Sequence, residues 1–117
     1  MTEKECIFCK IARKEIPSDL VAETNSFIAF LDIHPKAPGH ILIIPKKHYV
    51  TILDIPNSLA NEMFKIIKKI SSSILDKMQG DGFNIAMNNL PSAGQVVMHA
   101  HIHIIPRKEG DNLGIIV

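Results

Sequence analysis

The chain has 117 residues, 46% hydrophobic and 21% charged, enough for one domain with a buried core over residues 1–117. Its 13 basic and 12 acidic side chains give a formal net charge of +1, which argues against nucleic-acid or membrane partners held by bulk charge. No apolar run reaches the roughly 18 residues of a membrane span, and the polar N-terminus lacks a signal-peptide core. We therefore expect a cytoplasmic protein.

The N-terminal half predicts a short helix followed by three strands. Ile7, Phe8 and Ile11 share one side of a helix over residues 6–14, which Ile16-Pro17-Ser18 ends. Two short apolar runs around the turn Asn25-Ser26 predict an antiparallel hairpin. The three strands are predicted at residues 20–23, 27–31 and 40–45. The continuous aliphatic run of the third strand indicates burial on both faces.

The C-terminal half predicts one long helix and two strands. Apolar residues recur at helical spacing over residues 57–79, with Asn57 or Ser58 as the N-cap and Gly80 as the stop. The apolar face is formed by Leu59, Met63, Ile66, Ile67, Ile70, Ile74 and Met78. Strands are predicted at residues 82–88 and 99–103. Since strands come in runs with short connections, the order favours an α+β fold with a mostly antiparallel five-stranded sheet, one long helix and one short helix.

Three histidines alternate with apolar residues in the segment His99-Ala100-His101-Ile102-His103-Ile104. Residues two apart in a strand point to the same face, about 6.7 Å from one another, so the three imidazoles form a row above the core. Imidazole can attack, donate and accept protons near neutral pH. The favoured chemistry is nucleophilic, with His101 flanked by two rings that orient it and stabilise charge. Zinc bound by the row is the alternative.

The chain has two cysteines, Cys6 and Cys9, in a C-x-x-C pattern. In a reducing compartment this spacing is more typical of a metal or redox motif than of a structural disulfide. Two thiolates supply half of a tetrahedral zinc site. A redox motif is less favoured because the thioredoxin-like β-α-β pattern is missing, and cysteines that only pack remain an alternative.

The histidine segment, followed by two aliphatic residues, resembles the motif of the histidine-triad family of nucleotide hydrolases and transferases. The similarity is closest to the nucleotide-binding, protein-kinase-C-interacting-like branch. Further matches occur in the family's order at Ile7-Phe8-x-Lys10-Ile11, Phe30-Leu31-Asp32-Ile33, Ala37-Pro38-Gly39-His40, Pro45-Lys46-Lys47-His48, Asn88 and Gly94-Gln95. The resemblance implies a homodimer whose five-stranded sheets join across the interface, and a reaction at the α-phosphate of a purine nucleotide.

The same resemblance implies roles for single residues. His101 attacks the α-phosphorus to give a covalent nucleotidyl-histidine, and His103, Gln95 and the backbone of the Gly94 loop contact the phosphate. Asp32 accepts hydrogen bonds from the ribose hydroxyls, although aspartate is also common in such a turn. The base slot is formed by Phe8, Ile11, Ile16, Phe30 and Ile33, and His40 and Asn88 lie on the phosphate or ribose side. These apolar residues could equally be ordinary core, and Gln95 an ordinary loop residue.

Two further positions bear on the family pattern. Val96 departs from it, because the branch usually has a hydroxyl there that helps the leaving group and valine cannot donate a hydrogen bond. In relatives with the N-terminal C-x-x-C, the positions of His48 and His99 complete a structural zinc site with Cys6 and Cys9. If His99 is a ligand, catalysis rests on His101 and His103.

The leading hypothesis is thus a nucleotide phosphoramidase or nucleotidyl hydrolase that acts on purine nucleotides such as adenosine phosphoramidates. Two alternatives remain. One is a purine-nucleotide-binding scaffold with incidental activity. The other is a zinc metallohydrolase that uses the histidine row.

Overall fold

The computed structural model describes residues 3–114 and contains two helices and five strands among them. The elements are α1 (Ile7–Ala12), β1 (Leu20–Glu23), β2 (Phe27–Leu31), β3 (Ile41–Pro45), α2 (Ala60–Asp76), β4 (Gly82–Ala86) and β5 (Ile102–Arg107). Short 3-10 turns lie at residues 52–54, 57–59 and 91–93. The predicted α+β class and the order of its elements are confirmed. Within the described part, no helix combines the length and hydropathy that crossing a membrane requires.

The five strands form one sheet in the order β1-β2-β3-β5-β4, and every neighbouring pair is antiparallel. β5 enters between β3 and β4, so the histidine segment leads into the middle of the sheet. β3 is buried along its whole length, as its aliphatic run predicts. β4 lies at one edge of the sheet and pairs only with β5.

Alternation along the strands divides the core between the two faces of the sheet. Phe27 and Ala29 of β2 pack with α2, whereas Ile28 and Phe30 pack on the opposite face with α1. The α2 core also contains Ile41, Ile43, Ile66, Ile67, Ile70, Ile74, Ile102 and Ile104. Complete burial of each such side chain contributes roughly 1.5–3 kcal/mol, so this face carries much of the stability.

The long helix is shorter than its apolar periodicity predicts. Residues 57–59 form a 3-10 turn, and α2 begins at Ala60 without a side-chain cap from Asn57 or Ser58. At the other end the helix closes in a Schellman motif before Gly80, because Met78 adopts φ +57° and the Gln79 N–H donates to the Ile74 carbonyl. Met78 is consequently 84% exposed, so its predicted place on the apolar face is wrong.

The predicted histidine strand is only partly a strand, because β5 begins at Ile102. The face prediction is nevertheless confirmed: Ala100, Ile102 and Ile104 are buried. The β-ladder stops before Ile102 because backbone N–H and C=O groups of the preceding residues form hydrogen bonds outside the sheet. The Ala100 N–H donates to the Tyr49 carbonyl at 2.6 Å, and the His99 carbonyl accepts from the ring of His101 at 2.8 Å.

Candidate active site and metal cluster

A cavity of about 720 Å³ opens on the α1 face of the sheet, between α1, the loop after β2 and the loop before β5. Most of the sequence-predicted nucleotide-site residues line it. These are Phe8, Ile11, Ile16, Phe30, Asp32, Ile33, His40, Asn88, Gly94, Val96, His101 and His103. Segments far apart in the chain thus converge on one cavity with an apolar end and a histidine-rich end.

The apolar end, which we call the slot, is lined by aromatic and aliphatic side chains. Phe8, Ile11 and Phe30 are buried at its base, and the rings of Phe8 and Phe30 meet edge to face with centroids 5.8 Å apart. Ile33 is 81% exposed and forms part of the rim. An apolar slot with one open side can cover both faces of a purine while leaving its edges accessible.

His101 has its tautomer fixed by the backbone. Its Nδ1 lies 2.8 Å from the His99 carbonyl oxygen, which can only accept, so Nδ1 carries the proton and Nε2 keeps its lone pair. Within residues 3–114, Nε2 has no hydrogen-bond partner, and it is not among the fully buried polar atoms. The ring lines the cavity. The unprotonated nitrogen is therefore available to attack a ligand.

His103 has the opposite tautomer because a short relay ends on it. The Lys36 backbone N–H donates to His40 Nδ1 at 2.9 Å, so the His40 proton lies on Nε2. His40 Nε2 in turn lies 2.9 Å from His103 Nδ1, which must accept. The proton of neutral His103 is then on Nε2, where it can donate to a phosphoryl oxygen in the cavity.

Burial keeps the relay histidines neutral. It lowers the pKa of His103 to about 4, with further lowering from the charges of His101 and His40. Burial also lowers the pKa of His40, although the Asp32 carboxylate opposes the shift. At neutral pH the relay therefore supplies a hydrogen-bond donor without adding a cation.

The two carboxylate oxygens of Asp32 have different surroundings. One carboxylate oxygen accepts the His34 backbone N–H at 2.9 Å, which is the expected turn interaction. The other oxygen lies 3.6 Å from His40 Nε2, too far for a hydrogen bond, on the cavity side. This second oxygen can accept from a ligand hydroxyl.

Gln95 does not line the cavity, in contrast to the expectation that its side chain contacts phosphate. It is 4% exposed, and its amide is occupied by the backbone. The oxygen accepts the Leu90 N–H at 2.6 Å, and Nε2 donates to the carbonyls of Val50 and Val97 at 2.7 and 3.1 Å. Gln95 therefore shapes the loop, including Leu90, which is held at φ +74°.

Gly94 is the loop residue that reaches the cavity. It adopts φ +94°, and a Cβ atom there would lie 3.2 Å from the Asn88 side-chain nitrogen. Glycine is needed for both the backbone conformation and the close approach. The next cavity residue, Val96, is 86% exposed at the edge and presents a purely apolar surface.

A second cluster, formed by Cys6, Cys9, His48 and His99, lies on the α1 side of the sheet and is referred to as the cysteine–histidine cluster. Its four ligand atoms all lie within 4.8 Å of one another. The Sγ–Nδ1 distances are 3.2 Å for Cys9–His48, 3.3 Å for Cys6–His99 and 3.4 Å for Cys9–His99. Tetrahedral zinc with usual bond lengths gives a sulphur–nitrogen edge of about 3.5 Å, so the residues fit the ion.

The surroundings of the cluster also suit a metal. His99 Nε2 donates to the Pro45 carbonyl at 2.8 Å, which leaves the Nδ1 lone pair facing the sulphurs. Burial lowers the pKa of His99 to about 4 and raises the pKa of the Cys9 thiol to about 11, the latter also through Cys6. Without a metal, the histidine is thus neutral and the thiol protonated, and a bound metal ion would displace thiol protons.

The two remaining metal arrangements do not fit the hydrogen bonds. Asp32, His40 and His103 are close enough to hold an ion. However, His40 Nε2 carries a proton because its Nδ1 accepts the Lys36 N–H, so it cannot be a ligand as a neutral ring. The predicted alternative of zinc on the histidine row also fails. His99 turns toward the cysteines, and His103 Nε2 carries a proton because its Nδ1 accepts from His40, which leaves the row with a single free lone pair, on His101 Nε2.

Sequence reasoning missed the backbone groups that orient the rings. Lys36, Pro45 and Tyr49 act through their main-chain N–H or C=O groups, which have no signature in the side-chain sequence. Lys36 and Val97 also line the cavity. For the place of Lys36 in the cavity wall, the amino-acid sequence offered one signal, a basic residue in the predicted loop after Asp32.

Comparison with known proteins agrees with this site. The model of the HIT domain family matches residues 13–110, so the chain belongs to the HIT family. Its features are those of the nucleotide-binding branch: relatives of that kind share more than two fifths of its residues over most of its length.

Three relatives illustrate the similarity. A HIT-like protein of Methanocaldococcus jannaschii is 48% identical over 106 residues, covering 91% of this chain and 81% of that protein. An adenosine 5'-monophosphoramidase of Candida albicans is 43% identical over 115 residues, covering 94% of this chain and 76% of the relative. An adenylylsulfatase of Arabidopsis thaliana is 44% identical over 111 residues and 95% of this chain, which spans only 56% of that longer protein.

Solved structures share the fold over nearly the whole chain. A HIT family protein from Bacillus anthracis superposes with a TM-score of 0.90 at 40% identity, covering 99% of this chain and 82% of the other. A zinc-bound histidine triad protein from Mycobacterium smegmatis gives a TM-score of 0.89 at 35% identity, covering 97% and 83%.

Proposed function

We propose that the protein is a nucleotide hydrolase or transferase that cleaves at the α-phosphate of purine nucleotides, such as adenosine phosphoramidates, through a nucleotidyl-His101 intermediate. The observation that supports it most strongly is the pair of opposite tautomers in one cavity. His101 offers a lone pair on Nε2, and His103 offers a proton on Nε2. Relatives that share 43–44% of their residues are named as an adenosine 5'-monophosphoramidase and an adenylylsulfatase.

The first step forms a bond between His101 Nε2 and the α-phosphorus, while the bond from phosphorus to the leaving group breaks. The ring becomes an imidazolium whose Nδ1–H still donates to the His99 carbonyl, which stabilises the positive charge. The leaving amine takes a proton from water, since Val96 offers none. Water then attacks phosphorus, releases the nucleoside monophosphate and restores neutral His101.

The rest of the cavity holds the substrate. His103 Nε2–H donates to a non-bridging phosphoryl oxygen. The predicted backbone donors of the Gly94 loop are occupied, because the N–H groups of Gly94 and Gln95 donate to the carbonyls of Pro91 and Leu90. The free oxygen of Asp32 accepts from the ribose hydroxyls. The base enters the slot between Phe8, Ile11 and Phe30. Gln95 contributes by shaping the loop, which replaces the direct phosphate contact that its sequence position predicts.

The test uses His101→Ala and an adenosine phosphoramidate. Turnover should disappear while AMP still binds, because the base slot and the His103 relay do not involve His101. A rapidly quenched wild-type reaction should yield a protein–AMP adduct that maps to His101 by mass spectrometry. Full turnover by the variant would dispose of the mechanism.

The scaffold hypothesis makes a different prediction from the same preparation. Calorimetry would then detect tight AMP binding, but no leaving group in a panel of amines, sulphate and phosphates would be turned over. Val96 supports this alternative, because it is exposed at the cavity edge and cannot donate a proton to a leaving group.

We also propose that the cysteine–histidine cluster binds a structural zinc ion. The Sγ–Nδ1 distances and the His99–Pro45 hydrogen bond support it, and one structural neighbour is described as zinc-bound. Zinc bound here supplies a structural crosslink between α1, the segment after β3 and the segment before β5. Metal analysis of purified wild-type protein should give about one zinc per chain, and Cys6→Ser should remove it.

A homodimer formed through β4 is the proposed assembly. β4 is an open edge of the sheet, and its outward residues Phe83 and Ile85 are 36% and 52% exposed. An unpaired antiparallel edge can pair with its own copy across a two-fold axis, which joins the two sheets. Light scattering should give the mass of two chains, and Ile85→Arg should give one. A wild-type monomer would contradict the proposal.

A further inference from the structure

We propose that the cysteine–histidine cluster positions the nucleophile, so that metal occupancy sets the orientation and tautomer of His101. The inference rests on the proposed function in two respects, that His101 is the nucleophile and that the cluster binds zinc. It goes further by linking the two sites. The link is the single peptide unit between His99 and Ala100.

The His99–Ala100 peptide is held at both of its polar groups. Its N–H donates to the Tyr49 carbonyl at 2.6 Å, and its C=O accepts the His101 Nδ1–H at 2.8 Å. Because a trans peptide is planar, its N–H and C=O point in opposite directions. Fixing the N–H on Tyr49 therefore directs the C=O toward the nucleophilic ring.

One end of this arrangement belongs to the cysteine–histidine cluster, and the other end is held by the residue directly after a cluster member. His99 carries the peptide carbonyl and supplies a ligand nitrogen, and its ring is completely buried. Tyr49, which accepts the peptide N–H, directly follows the ligand His48. The rings of His48 and His99 lie edge to face, 5.1 Å apart. A metal ion that binds both rings thus holds the two backbone segments that meet at this peptide.

Packing from α1 provides a second route between the sites. Phe8 lies between the ligands Cys6 and Cys9 in sequence, and its ring is 5.9 Å from that of His99 and 5.1 Å from that of His101. Cys6 also caps α1, since its Sγ accepts the Cys9 N–H at 3.4 Å. The position of α1 against the nucleophile therefore depends on the same two sulphurs.

The orientation of the peptide has a chemical consequence for His101. When the His99 carbonyl faces the ring, the proton stays on Nδ1 and the Nε2 lone pair faces the cavity. If the peptide turns, the neutral ring can place its proton on either nitrogen, and the Nε2–H form cannot attack phosphorus. Loss of the metal should then lower kcat more than it weakens AMP binding, because His103, Asp32 and Phe30 lie outside α1 and still line the cavity.

The experiment compares four preparations: zinc-loaded wild type, wild type treated with a chelator, His48→Asn and Ile74→Val. His48 is half-buried, so its substitution removes one ligand without opening a cavity in the core. Ile74→Val is the matched control, because it weakens packing on the opposite face of the sheet and leaves both sites intact. Cobalt substitution reports whether the sulphur–nitrogen site is assembled, through its thiolate absorption bands.

Two readouts are decisive. We expect kcat to fall about 10- to 100-fold in the metal-free protein and in His48→Asn, with a much smaller change in affinity for AMP. Imidazole ¹⁵N spectra should show one His101 tautomer in loaded protein and a mixture in the other two samples. Ile74→Val should retain the loaded spectrum. Readdition of zinc to the chelated wild type should restore both kcat and the single tautomer.

The inference is overturned if folded, metal-free protein keeps wild-type kcat. It is also overturned if kcat falls while the His101 spectrum remains that of the loaded form. Because the spectrum needs no turnover, it still reports on positioning if wild-type protein forms no nucleotidyl-His101. Absence of a nucleotidyl-His101 adduct in wild-type protein would instead defeat the proposed function.

Discussion

The neutral state of His103 should appear as a pH dependence of stability that a single substitution reduces. Burial lowers the pKa of His103 from 6.5 to about 4 in the folded chain. Between these values the unfolded chain binds a proton that the folded chain does not. The free energy of unfolding therefore falls as the pH falls from about 6.5 to about 4.

The magnitude follows from the size of the shift. One pKa unit corresponds to about 1.4 kcal/mol, so lowering the pKa from 6.5 to about 4 sets an upper limit of about 3.5 kcal/mol. His103 is only partly buried beside a polar cavity, which brings the expected loss to about 2 kcal/mol. That loss is complete once the pH lies below the folded-state pKa.

Urea denaturation at several pH values between about 7 and 4 measures this loss in wild type and in His103→Asn. Asparagine does not titrate, and its oxygen can still accept the His40 Nε2–H, so the relay keeps a partner. The difference between the two curves should shrink as the pH falls. His34→Asn, in which an exposed histidine is replaced, should run parallel to wild type. If His103→Asn also runs parallel, the buried neutral imidazole does not exist as described.

Three further substitutions, one of them with a matched control, test the loop and the fold. Gly94→Ala should cost about 1 kcal/mol or more, because its φ is +94°, and should raise KM; unchanged values of both would contradict the need for glycine. Gly80→Ala should cost at least about 2 kcal/mol, because its Cβ would lie 2.8 Å from the Arg107 carbonyl oxygen, whereas Gly82→Ala meets open space and should be nearly neutral in denaturant. Gln95→Leu leaves backbone groups unpaired and should cost about 2 kcal/mol. If Gln95→Leu keeps its stability but loses much of its kcat/KM, Gln95 contacts the phosphate directly.

Periodicity predicted the features that depend on which face a side chain occupies. The alternation of His99 to Ile104 placed the aliphatic residues in the core, even though the ladder covers only part of the segment. The helical spacing of Ile66, Ile70 and Ile74 likewise identified the buried side of α2. The face of a strand or helix on which a side chain lies is encoded in the order of apolar and polar residues, so it can be inferred from the amino-acid sequence alone.

Features decided by the main chain could not be predicted in this way. The tautomers of His99 and His101 depend on the carbonyls of Pro45 and of His99 itself, and any residue type provides a carbonyl. The helix end at Met78 was missed because glycine is the usual residue at positive φ, and the Schellman hydrogen bonds hold methionine there instead. Gln95 has a side chain suited to phosphate, but backbone groups within reach occupy it.

The division of β2 and β3 between two cores separates substrate choice from folding. On the α1 side Phe30 of β2 lines the cavity, while Phe27 and Ala29 pack with α2 on the opposite face. Variants that remodel the slot for a different base can therefore accumulate behind an intact scaffold. A slip of one residue along either strand would exchange the two sets, so pairing errors rather than slot mutations are the greater hazard to this chain.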